Sequence, residues 1–227
     1  DNRQSLHFKQ LFDSIKFFEF NNLHHEHISY GTLNDSDGNP FKTRDGGTKP
    51  LGELFNETYK YIKNINSDLE DSTIKQLANS VLTFSDLITN RKTDYKFDLE
   101  KFTNVNGKTG IYVQYAQVRA KKLQQSISEQ KNEMESIVLS DVDKQLISQL
   151  FMFGYFLEQS SSLNEPHHLA NYLYDISNSF NQFYEHEKLS EIKDINHLIS
   201  KLYLINLFLT TSENVMFCLG MKPVDKM

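Results

Sequence analysis

The sequence contains no tryptophan and a single cysteine, Cys218, among 227 residues. One cysteine excludes an internal disulfide and fits a reducing compartment. No window reaches 18 apolar residues without a charge, so no membrane-spanning helix is expected. The N-terminus lacks the basic, apolar and small-residue order of a signal peptide. Positive charge is not in excess either: Lys+Arg number 24 against Asp+Glu 30, a net charge of −6. That balance excludes a global basic field for nucleic acid, but not a local one. Unpaired RNA is held by local basic patches and by rings that stack on bases, and the chain carries 11 Tyr and 17 Phe. Gly-x-Ser-x-Gly, Gly-x-x-x-x-Gly-Lys and Gly-x-Gly-x-x-Gly are also missing, as is any repeat of fixed period or low-complexity tract.

What is present is mostly helical periodicity, in a chain long enough for one large domain or two modest ones. Phe8, Leu11, Phe12, Ile15 and Phe18 stand three and four apart, which predicts an amphipathic helix over residues 5–19. His27 to Leu33 reads as a short strand, and helix, strand and following loop together resemble the closing unit of an α/β sheet. After Pro50 every periodic segment is helical. Leu51, Leu54, Phe55, Tyr59 and Ile62 line one face, and Ile74, Leu77, Val81 and Leu82 the next. Asn90 to Gly110 is polar and reads as a connector. Four further helices are predicted: Ile111 to about Gln130; Val142 to about Gln159, capped by Ser140 and Asp143; Pro166 to about Tyr184; and Ile195 to Leu219, ending at Gly220. The expected fold is mainly α, a helical bundle preceded by the end of an α/β unit. The chain begins at Asp1, in a segment that reads as the middle of something longer.

Three groups of side chains bear on chemistry. The loop from Gly31 to Gly47 turns on Asp37-Gly38-Asn39-Pro40 and presents Lys42, Thr43 and Arg44 together. Such a tip is either an ordinary surface turn or an arm that meets phosphates. His24, His25 and His27, like His167-His168, lack a second ligand pair at metal spacing, so no metal is expected; the first group falls on a strand and the second at a solvated helix start. Cys218 lies in an apolar pattern and reads as core. Tyr112, Tyr115 and Arg119 stand at i, i+3 and i+7 with Lys121 and Lys122 beside them, which puts rings and a guanidinium on one helix face. That face either packs or stacks on splayed bases.

Four stretches, in order, resemble the arginyl-tRNA synthetases, class I enzymes that join arginine to its tRNA using ATP. They are Asp1-Asn2-Arg3-Gln4 with His7-Phe8; His27-Ile28-Ser29-Tyr30-Gly31 with Asp37-Gly38 and Phe41-Lys42-Thr43-Arg44-Asp45-Gly46; Asp94-Tyr95-Lys96-Phe97-Asp98 with Gly107-Lys108-Thr109-Gly110; and Tyr112-Val113-Gln114-Tyr115-Ala116-Gln117-Val118-Arg119. The resemblance covers essentially the whole chain. It implies that Gln4 contacts the arginine substrate. It also implies that Lys42, Thr43 and Arg44 stand where other class I synthetases carry the Lys-Met-Ser-Lys-Ser loop, Thr43 replacing the serine and Arg44 the second lysine. Preorganised cations there stabilise the charge that develops as pyrophosphate leaves. Tyr112, Tyr115, Arg119, Tyr184 and Met227 match positions near the anticodon.

The implied division is residues 1–50 as the end of a Rossmann-like catalytic domain, 51–109 as a helical connector, and 110–227 as an anticodon-binding domain. The implied partners are tRNA(Arg), L-arginine and ATP with Mg2+, in a cytoplasmic monomer. The His-x-Gly-His signature that holds ATP from the other side is absent from these residues, so this piece alone is expected not to aminoacylate. Two rival readings remain: a non-catalytic tRNA- or protein-binding module derived from such an enzyme, and the same region of another class I synthetase.

Overall fold

The three-and-four spacing of apolar residues does produce helices along most of the chain. A computed structural model describes residues 1–19, 23–34, 50–127, 136–186, 189 and 192–227. In order, the elements are α1 (Ser5–Phe17), β1 (Leu33–Asn34), α2 (Leu51–Ile65), α3 (Asp71–Leu87), β2 (Tyr95–Lys96), α4 (Leu99–Phe102), α5 (Gly110–Ile127), α6 (Asp141–Leu150), α7 (Phe153–Leu163), α8 (His167–His186) and α9 (Ile195–Cys218). The single sheet among the described residues pairs β1 with β2 in parallel, Leu33 opposite Tyr95.

Two apolar cores share α3 and α5. The larger gathers α5, α6, α8 and α9, with Val113, Leu146, Leu173, Ile176, Phe180 and Phe208 among its buried members. Phe180 stacks on Phe208 with ring centroids 4.1 Å apart. The smaller packs Ile62 of α2, Ile74, Leu77 and Val81 of α3, and Ile111 and Val118 of α5 around the tail residue Val224. α5 therefore buries opposite flanks in two cores and leaves a narrow strip between them. Its N-terminus is capped by Thr109, whose Oγ1 accepts from the Tyr112 amide at 3.1 Å.

Several expectations are corrected. Residues 27–32 of the expected strand form none; the extended segment pairs as a strand only over Leu33–Asn34, and it is otherwise held by isolated backbone bonds, such as those at Tyr30 and Gly31, and by side chains. Phe8 of α1 stacks on His27 at 4.2 Å, and Phe12 lies 5.8 Å from His25, so both histidines pack on rings. The helix predicted from Val142 to about Gln159 is broken at Phe151 and Met152 into α6 and α7. Tyr172 of α8 causes the break by meeting both halves. Its hydroxyl donates to the Leu150 carbonyl at 3.0 Å, taking an otherwise orphaned helix-end acceptor, and its ring stacks on Phe156 at 4.9 Å. A straight helix would turn Leu157 inward, yet Leu157 is 37% exposed. Cys218 is exposed rather than core. α9 is apolar on nearly every side, so the pattern could not tell its inward flank from the outward one, where Phe217 also lies.

The capping box of Ser140 and Asp143 forms as expected, and it extends into an ion pair that the pattern did not reveal. Asp143 Oδ2 accepts from the Ser140 amide at 2.8 Å and from Lys201 Nζ at 2.5 Å, and both charged side chains are fully buried. Removing one partner strands the other charge in the core, a loss of about 3–5 kcal/mol. Asp143→Ala is therefore expected to lower urea-unfolding stability by that amount, whereas Asp143→Leu combined with Lys201→Met recovers most of it. A single variant as stable as the parent chain contradicts the pairing.

Candidate nucleic-acid interface

The exposed strip of α5 faces α8, and the two helices run side by side in the same direction. Across their seam Arg119 is held between two rings. Its Cζ lies 4.2 Å from the Tyr115 ring centre and 4.7 Å from that of Tyr184. Nη1 donates to Asn181 Oδ1 at 3.0 Å, and Nη2 to the Tyr115 hydroxyl at 3.1 Å. The only acid found near it among the described residues is Glu185, 3.9 Å away and 71% exposed. Tyr115 and Tyr184 are each 37% exposed. A guanidinium fixed between rings, with part of each ring open, is a platform on which a flat, electron-rich base can stack.

Tyr112 continues the strip toward the start of α5. Its hydroxyl donates to Asn178 Oδ1 at 3.1 Å, and its ring lies 5.3 Å from Tyr174. The structure thus brings Tyr112, Tyr115, Arg119 and Tyr184 onto one surface. Met227 stands apart from the Arg119 stack: it is half-buried against the smaller core, on the flank of α5 that carries Ile111 and Val118. Lys121 also leaves the strip, paired with Asp225 of the tail at 2.8 Å, while Lys122 is exposed.

The glutamines of the same stretch point inward. Gln114 donates to Ser80 Oγ at 2.8 Å and to the Lys222 carbonyl at 2.7 Å, and accepts from the Val224 amide at 3.0 Å. Gln117 donates to Ser212 Oγ at 2.7 Å. Sequence reading found the outward rings and missed these inward amides. A polar residue one helical turn from apolar core positions was the signal that could have found them.

Gln4 ends a short 3-10 turn before α1 and is exposed. Asn2 fastens this turn, donating to the carbonyls of Tyr30 and Lys92, each at 2.9 Å. Lys42, Thr43 and Arg44 lie outside the described residues. The segment that leads toward them is anchored at Gly31, whose amide donates to the Arg91 carbonyl at 2.6 Å. A Cβ at Gly31 would fall 2.5 Å from the Thr93 carbonyl oxygen, so that approach excludes any larger residue. Beside it a cavity of about 650 Å³ opens between Tyr30, Leu54, Phe55, Asp86 and Tyr95.

Arg91 and Lys92 tie this segment to the corner between α7 and α8. Arg91 donates to the carbonyls of Ser29 and Asn164, and Lys92 pairs with Glu165 at 2.9 Å. Glu165, His167 and His168 bring potential ligand atoms within 4.8 Å of one another, and the histidines are more enclosed than a solvated helix start. The surroundings oppose a cation, however, because Lys92 already occupies one Glu165 oxygen, Arg91 lies alongside, and the positive end of α8 begins here.

Both halves of the chain are similar to known families. The DALR anticodon binding domain family matches residues 113–227, and the class I (R) tRNA synthetase catalytic domain family matches residues 1–99. The arginine–tRNA ligase of Francisella tularensis subsp. novicida is 36% identical over 205 residues, covering 86% of this chain and 35% of that protein. That of Alcanivorax borkumensis is 34% identical over 239 residues, covering 100% of this chain and 41% of that protein. The chain thus spans well under half the length of these relatives. The solved Thermus thermophilus arginyl-tRNA synthetase shares the fold with a TM-score of 0.77 at 21% identity, over 88% of this chain and 35% of its own.

The corner between α7 and α8 has a pH signature. The hydrogen bond from Lys92 holds the Glu165 carboxyl below its ordinary value. Burial, aided by His168 and the nearby cations, pushes the His167 imidazole below 6.5. A histidine kept neutral in the fold binds fewer protons than in the unfolded chain, so stability falls as pH drops below about 6.5. NMR titration is expected to show Glu165 and His167 both moving upward in Lys92→Met; unmoved midpoints contradict the contact.

Proposed function

Since this chain belongs to the DALR anticodon-binding family and is the C-terminal region of an arginyl-tRNA synthetase, we propose that the enzyme carrying it activates L-arginine with ATP and transfers it to tRNA(Arg), with the α5/α8 strip contacting the anticodon region. The observation that carries the interface is Arg119 held between Tyr115 and Tyr184. Splayed anticodon bases offer the flat faces and polar edges that such a platform accepts. We assign Tyr112, which continues the strip toward the start of α5, and Met227, on the smaller-core flank of α5, to the same RNA.

In the proposed reaction the arginine carboxylate attacks the α-phosphorus of ATP, taken as its Mg2+ complex, and pyrophosphate leaves. A hydroxyl of the terminal ribose of the tRNA then attacks the activated carbonyl and releases AMP. We assign Gln4 to the arginine, and Lys42, Thr43 and Arg44 to the phosphates, where fixed cations lower the barrier electrostatically. Catalysis of this kind is positioning plus charge stabilisation, without a covalent enzyme intermediate. We divide the chain into 1–50 as catalytic, 51–109 as connector and 110–227 as anticodon-binding, in a cytoplasmic monomer.

A stand-alone binding module is not favoured, because residues 1–99 match a catalytic-domain family. Another amino-acid specificity is not favoured either, given arginine–tRNA ligases as the matched relatives. In the full-length enzyme, Tyr115→Ala is expected to weaken tRNA charging more than arginine-dependent ATP–pyrophosphate exchange measured at saturating tRNA. Equal losses in the two assays make Tyr115 a packing residue. For Arg44→Ala the expected outcome is the reverse, a slowed activation step with anticodon binding kept. Unchanged activation kinetics refute the phosphate role.

A further inference from the structure

The strip does not end at Tyr112. Lys108, just before α5, places its Nζ 5.2 Å from the centre of the Tyr174 ring and donates to Asn171 Oδ1 at 2.6 Å. Tyr174 in turn meets Tyr112 at 5.3 Å, and Asn178 accepts from the Tyr112 hydroxyl. The pattern seen at Arg119 is repeated: a cation over a tyrosine of α8, steadied by an asparagine of α8 one turn away. Lys108 is exposed and Tyr174 half-buried. Eleven positions separate Lys108 from Arg119, a span of about 17 Å at helical rise. That is longer than one base and suits a run of several unpaired nucleotides.

We propose that Lys108 and Tyr174 form a second nucleotide subsite on the α5/α8 seam, Tyr174 offering its ring to a base and Lys108 its ammonium to the adjoining phosphate. The proposal rests on the RNA-contact reading of the Arg119 stack and extends it. An ammonium has three donors, and Asn171 engages one of them, so two remain for phosphate oxygens. Asn178 uses its Oδ1 on Tyr112, which leaves its amide nitrogen as a donor to a base edge. Asp175 on α8 lies within electrostatic reach of Lys108, and its carboxylate repels phosphate and holds the subsite weak. A protein partner is less suited, because the surface offers cations, amides and ring faces rather than a continuous apolar patch.

The test is the affinity of the full-length enzyme for a tRNA(Arg) transcript, measured by fluorescence anisotropy across a salt series. Tyr174→Leu is expected to weaken binding roughly 5- to 150-fold, the range for loss of one stacked base, while Tyr174→Phe stays near the parent. Lys108→Ala is expected to flatten the plot of log affinity against log salt by about 0.7, the increment for one single-stranded phosphate. Asp175→Asn is expected to tighten binding. Lys108 is exposed, so its variant reports even where Tyr174→Leu proves unfolded by circular dichroism. Parent-like affinity and slope in Tyr174→Leu and Lys108→Ala, with Arg119→Ala impaired, overturn the second subsite and leave the first reading standing. If Arg119→Ala and Tyr115→Ala are also without effect, both fall together.

Discussion

The direction in which the interface points depends on how tightly α5 is pressed against α3. At Gly110 a Cβ would lie 2.2 Å from the Ser80 carbonyl oxygen and 2.6 Å from its carbon, so the two backbones touch only because residue 110 has no side chain. That contact sets the axial position of α5. Its rotation is set one turn later by Gln114, fully buried and bonded to Ser80, Lys222 and Val224. Turning the helix by one position would break all three bonds, and those to Ser80 and Val224 are buried, where each unmet bond costs about 1–3 kcal/mol. With translation and rotation both fixed, Tyr112, Tyr115 and Arg119 have one way to face. The inward glutamines and the outward rings of the same eight residues are two aspects of one constraint.

The tail belongs to the same device. Residues after α9 turn back along α5, where Val224 fills the smaller core, Asp225 pairs with Lys121, and Met227 packs at the end. Lys121 is thereby withdrawn from the exposed strip, whereas Arg119 and Lys108 stay on it. α3 carries this arrangement to the N-terminal segment, because the turn that follows it supplies Arg91 and Lys92, which clasp Ser29 and Glu165. The segment that leads toward Lys42–Arg44 and the start of α8 are therefore bound to one short stretch of chain.

What could be read from sequence divides along the distance over which each feature is decided. The inward face of α8, Leu169, Tyr172, Leu173, Ile176, Phe180 and Phe183, is buried as its spacing predicts, because helical periodicity is local. The break between α6 and α7 was not legible, since Tyr172, 22 residues beyond Leu150, decides it. Nor was the buried pair of Asp143 and Lys201, whose partners lie 58 positions apart. At the candidate interface, Tyr112, Tyr115 and Arg119 were visible as one face of one helix. Tyr184 came only through the resemblance, and Asn178 and Asn181 not at all. Their partners on α5 lie 66 and 62 positions away, and nothing in a single sequence pairs them.

A chain of net charge −6 leaves little long-range attraction for a polyanion, so the proposed RNA contact has to work at short range. At physiological salt, charges beyond about 8 Å are largely screened, and Glu185 and Asp175 lie near Arg119 and Lys108 respectively. What the strip offers instead is preorganisation. Arg119 is held by two rings and two hydrogen bonds before any ligand arrives, so the ordering cost of a long side chain is met in advance. A weak field with a rigid stacking site favours bases that are already splayed over duplex backbone, which presents charge but no exposed faces. The proposed selection for unpaired bases therefore follows from the same shortage of positive charge that excludes a global basic field.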